Sequence, residues 1–187
     1  FGETSPTVTL ARANALLALE RFDEAVLDLE IISQRLPTEE SVIPCLALAC
    51  PPGDISPLIT AVLRHPKSGD AIRQGYYALS ACRGTDSMRQ FVEALSRDNR
   101  FRADTARLSS WLALGENDTN SALESMRKAF ELSDETRRDE FRSDLFYLML
   151  SHGQTTQACG LFNDDASLVA ILMEALNEEA WPEVNEQ

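Results

Sequence analysis

Apolar residues recur along this chain at intervals of three and four, the spacing that lines one face of an α-helix. Leu10, Ala13, Leu16 and Leu17 set the first such stripe, after a Ser5-Pro6 start signal. Ala25, Val26, Leu29, Ile32 and Leu36 set the second, which begins near Phe22 and stops at Pro37. A short helix is predicted over Val42–Ala49, with Pro44 tolerated in its first turn. Another is predicted from Ser56-Pro57 to His65. Further helices are predicted over about 70–82, 86–97, 104–114, 120–132, 135–152 and 156–162. A last helix is predicted over Ser167–Ala180, before a polar tail at 182–187. No segment alternates apolar and polar with β-branched residues, so no sheet is expected. The intervening loops are short, which forces successive helices into antiparallel hairpins.

Hairpins at regular spacing call for a test of internal repetition. Leu10–Pro37 reads LARANALLALERFDEAVLDLEIISQRLP. This segment resembles a tetratricopeptide repeat in Ala13, Leu16, Phe22, Ala25, Leu29, Ile32 and Pro37. It departs from that pattern at Thr9, where the family has Trp, and at Ile32, which is larger than the usual residue. Gly75, Ala78, Phe91 and Ala94 fit a further copy, placed 62 residues after the first. Ala122, Met126 and Ala129 fit another, and Gly153, Ala158 and Phe162 a fifth. Ala61 and Pro66 mark a truncated second copy. The resemblance covers about residues 5–165 and implies an all-α, right-handed α-solenoid of about four to five helical hairpins. Residues 166–181 would cap it, within a single domain spanning 1–187. The physical logic agrees, because one hairpin cannot bury its apolar face alone and stacked hairpins can.

In this family the first helix of each hairpin lines a concave surface that receives peptides. The repeat frame puts Asn14, Ile43, Tyr76, Trp111 and Tyr147 at equivalent places there. Tyr76, Trp111 and Tyr147 form a candidate ladder of partner anchors, since large amphipathic rings bind at low entropy cost. Leu79, Arg73 and Arg107 are candidate helpers, with Asn14 at the first position. The alternative is that the rings pack between hairpins and the arginines are solvated helix surface. If the rings are anchors, Trp111→Ala weakens binding and leaves melting nearly unchanged. A carboxylate clamp of the kind some family members carry is not expected, because Leu10 stands where its lysine would be.

Composition narrows the function. There are 17 Lys and Arg against 30 Asp and Glu, a formal net charge of -13. Such acidity disfavours nucleic-acid and anionic-membrane binding. No apolar run approaches the roughly 18 residues of a membrane span. The charge is uneven: residues 67–142 hold 13 acids and 13 bases, and residues 143–187 hold 8 acids and no Lys or Arg. That acidic end is either a solvated face or a docking surface for a basic partner. Arg97, Arg100, Arg102 and Arg107 cluster, but Asp98 and Asp104 among them favour local ion pairs over a phosphate site.

Catalytic signals are poor. His65 and His152 stand at helix ends, where a cation or capping donor is favourable. Cys45, Cys50, Cys82 and Cys159 lack metal-ligand spacing. They suit a reducing compartment such as the cytoplasm and leave a disulfide open. A start at Phe1 rather than Met suits a processed or excised product. The expected function is non-enzymatic protein binding, without cofactor or metal. The alternatives are self-assembly, as in a homodimer, and a regulatory repeat part of a larger enzyme.

Overall fold

The computed structural model describes residues 5–39, 41–51, 53–66 and 68–162. These residues are helical almost throughout and include no strand. Ten α-helices follow in order: α1 (Pro6–Ala18), α2 (Phe22–Arg35), α3 (Val42–Ala49), α4 (Ser56–Arg64) and α5 (Ser68–Cys82). Then come α6 (Thr85–Ser96), α7 (Arg102–Gly115), α8 (Thr119–Leu132), α9 (Arg138–Ser151) and α10 (Thr155–Cys159), with a 3-10 turn at Asn99–Phe101 before α7. The predicted helix over 167–180 and the tail lie outside the described residues. The helix predicted to begin at residue 135 begins at Arg138 instead. Asp134 holds a turn ahead of it, accepting hydrogen bonds from the Thr136 hydroxyl and the Arg137 amide.

The starts of α1 and α4 are built differently from the sequence signal. Ser5 stands at the N-cap of α1 but makes no side-chain cap bond. Ser56 is the first residue of α4, and Asp54 accepts its amide at 3.0 Å. Asp54 sits below the usual carboxylate range because its hydrogen bonds with Ser56 favour the charged form.

Helices pair as a solenoid. Each odd-numbered helix packs on the helix after it, and each even-numbered helix packs on the next hairpin. First helices also meet across hairpins, as α1 with α3, α3 with α5 and α5 with α7. The turns inside the hairpins repeat in geometry. Each holds a residue of positive φ: Glu20, Gly53, Gly84, Asn117 and Gly153. In four of them the N-cap amide of the second helix donates to a carbonyl five residues back. These bonds are Arg21 to Leu16, Gly84 to Leu79, Asp118 to Ala113 and Gln154 to Met149, at 2.9, 3.3, 2.9 and 2.9 Å. This bond ends the first helix by satisfying one of its orphan carbonyls.

The second hairpin has a longer turn and a different solution. Arg83, from the next hairpin, donates to the carbonyls of Ala47, Leu48 and Cys50 at the end of α3. A cation at a helix C-terminus also opposes the negative end of the helix dipole.

Close approach inside the third hairpin depends on Gly75. A Cβ there would lie 2.9 Å from Cζ of Phe91, a ring with no solvent exposure. The core falls into two parts. One gathers α1 to α6 with Phe101 and Leu108, and the other gathers α7 to α10. Trp111 packs against both.

Candidate functional site

The four matching turns set a common register for the first helices. Counting seven residues back from each second-helix N-cap gives Asn14, Tyr77, Trp111 and Tyr147. The sequence frame placed Tyr76 in this set, one residue early. That frame rested on Gly75, Ala78, Phe91 and Ala94, small and aromatic residues that fit either register. Burial decides between them: Tyr76 is buried like Ala13, and Tyr77 is exposed like Asn14.

Each side chain at this register is at least partly exposed. Tyr77 is 57% exposed and Tyr147 41%, and Trp111 is half-buried between them in chain order. The Tyr77 and Trp111 rings stack with centroids 5.3 Å apart and planes 24° apart. Tyr76 meets Trp111 from beneath the surface, centroid to centroid at 5.6 Å. Burial raises the Tyr76 phenol above its usual range, with Tyr77 and Glu116 adding to the shift. Tyr147 rests edge-on against Phe146 at 5.6 Å. Asn14 is exposed, and the Cys45 thiol lies 3.8 Å from its side-chain oxygen. Leu79 has no exposure and belongs to the core, so it offers nothing to a partner directly.

One helical turn before these residues lies a layer of ion pairs. Arg107 reaches across from α7 to Asp144 and Glu140 of α9, and its side chain is only 6% exposed. Arg73 of α5 pairs with Glu140 as well, and with Asp70 on its own helix. Arg137 holds Asp104 through two bonds at 2.9 and 2.6 Å. Its guanidinium is raised by the hydrogen bonding to Asp104, against the opposing effect of burial. The Arg107 guanidinium also lies over the rings of Trp111 and Phe141, at 5.2 and 4.9 Å. Arg107 is therefore neither a free helper nor solvated surface. It is an interior strut joining the fourth and fifth hairpins, and Arg73 is tied into the same layer. Sequence reading missed Glu140, Asp144 and Arg137, because nothing local marks a pair formed 33 or more residues apart.

Three of the four arginines in the basic cluster of the sequence are paired, Arg107 among them. Arg97 pairs with Glu93 and Arg100 with Asp98. His152 Nδ1 lies 2.8 Å from the Leu148 carbonyl at the end of α9, a capping position. Among the described residues no group of three or more His, Cys, Asp or Glu is placed to hold a metal ion. None of their helices is long and apolar enough to cross a membrane.

Fold and site together define an all-α solenoid of stacked helical hairpins with an aromatic surface on its first helices. No family model matches the chain, and no curated protein matches it. Among solved structures it is similar to a MamA RS-1 ArsTM double mutant, at 14% identity and a TM-score of 0.44, over 94% of this chain and 96% of that one. It is similar in the same degree to MamA 41-end from Desulfovibrio magneticus RS-1, at 14% identity and a TM-score of 0.44, over 94% of this chain and 97% of that one. Likeness at this level carries no inference about function.

Proposed function

We propose that this chain is a protein-interaction module, an adaptor, scaffold or chaperone-like repeat domain without enzymatic activity of its own. Its first-helix surface receives a segment of a partner protein, as an extended chain or a helix. The observation that carries this reading is the solvent-facing Tyr77–Trp111 stack, at a register shared with Asn14 and Tyr147. A partly exposed aromatic pair on a rigid helical scaffold offers contact area with little conformational entropy left to lose. The three arginines of the ion-pair layer beneath are all engaged by carboxylates, so the surface favours apolar and aromatic partner side chains over a cationic clamp.

Tyr77 is the residue on which to test this, because Trp111 is also a joint of the core. Tyr77→Ala is expected to abolish capture of the partner and leave the melting temperature nearly unchanged. Affinity capture with the wild type, Tyr77→Ala and a Leu27→Ala control on the exposed side of α2 reads it. Proteins retained equally by all three would sink the proposal.

A further inference from the structure

The stacking of second helices runs from α2 to α6 and does not continue to α8 or α10 among the described residues. Helix α2 packs on α4, and α4 packs on α6, but α6 makes no comparable packing with α8. This break lies where the two halves of the core meet. A cleft of about 250 Å³ opens there, floored by α7 and walled by α8 and the end of α6. Most of its lining is polar: Ser96, Arg102, Thr105, Ser109, Ser125 and Lys128.

Two features of that lining stand out chemically. Arg102 and Lys128 have no carboxylate within ion-pair distance among the described residues, although Arg97, Arg100 and Arg107 nearby are all paired. Glu124 and Glu131 flank Lys128 along α8, and neither pairs with it. Both side chains are exposed and line the same cleft. The second feature is the Thr105 hydroxyl, which is buried and has no hydrogen-bond partner. Ser125 likewise makes no hydrogen bond among the described residues, whereas the Ser109 hydroxyl has spent its proton on the Thr105 carbonyl at 2.9 Å. Free hydroxyl donors between two unpaired cations suit a group with several oxygens and more than one negative charge.

We propose that this cleft binds a phosphate oxyanion, either free or carried on a phosphorylated side chain, with Arg102 and Lys128 as its charge partners. It lies on the second-helix side of the solenoid and is independent of the aromatic surface.

Amide shifts of Ser96, Thr105, Ser109 and Ser125, followed by NMR, test this in the full chain. The probes are inorganic phosphate, a short phosphoserine peptide and the same peptide with glutamate. Saturable shifts are expected with the two phosphate probes and not with glutamate. Tighter binding of the peptide assigns the site to a phosphorylated chain, and tighter binding of the ion assigns it to free phosphate. Arg102→Gln and Lys128→Gln are each expected to weaken binding about tenfold, the worth of a charge-assisted hydrogen bond. Lys128→Arg retains binding, and Tyr77→Ala leaves it unchanged, which separates this site from the proposed partner surface. Shifts that rise without saturating, or affinity preserved in both Gln variants, would overturn the assignment.

Discussion

Trp111 shows how one side chain serves two ends. Its ring stacks with the exposed Tyr77 on one side and takes Tyr76 and the Arg107 guanidinium on the others. Trp111→Ala therefore removes core packing as well as surface, in line with the alternative that the rings pack between hairpins. The cysteines make a sharper contrast at this scale. Burial pushes the Cys50 thiol up to about 11, while Cys159 is exposed. Only the thiolate attacks an alkylating agent, so a buried thiol with a raised pKa stays inert near neutral pH. Iodoacetamide on the native protein is expected to label Cys159 early and Cys50 last. Mass spectrometry showing equal rates would contradict the burial of Cys50. The type of residue at these positions was legible in the sequence, and its exposure was not.

At the scale of elements, the ends of the helices decide most. Asp118 caps α8, accepting from the Ser121 amide at 3.1 Å and the Ser121 hydroxyl at 2.6 Å. Those hydrogen bonds, the side-chain one foremost, hold its carboxyl below the usual range. A carboxylate depressed in the folded state contributes stability above its unfolded pKa of about 3.9 and loses it as pH falls through the folded value. Acidification below about pH 4 should therefore lower the melting temperature more in the wild type than in Asp118→Asn, which caps without titrating. Parallel decline of both in thermal circular dichroism would remove the role given to Asp118. Helix existence and most boundaries could be read from apolar spacing, the Pro37 stop and the Ser5-Pro6 and Ser56-Pro57 starts. The register of the third hairpin could not. Its small and aromatic residues, Gly75, Ala78, Phe91 and Ala94, fit two frames one residue apart, and a frame laid by residue type slides by one.

Across the whole molecule, the fourth and fifth hairpins are joined to the third through charge as well as apolar packing. Arg107 is the centre of that joint, buried between Asp144 and Glu140. Removing one partner from a buried pair leaves the others uncompensated, at a cost of about 3–5 kcal/mol, so Arg107→Ala is expected near the low end because its acids are partly exposed. The exposed Arg97–Glu93 pair offers the contrast, and Arg97→Ala should change stability by no more than about 0.5 kcal/mol. Urea unfolding of the two variants checks both, and equal midpoints would show that the strut carries no weight. The amino-acid pattern alone determined that this chain is helical, where its helices run and that they stack as hairpins. Those properties follow from periodicity and stop signals, which act over a few residues. Tertiary structure decided which aromatic faces solvent and which arginines are spent inside. These depend on contacts made across hairpins, between residues 30 or more apart in the chain, and no local pattern encodes them.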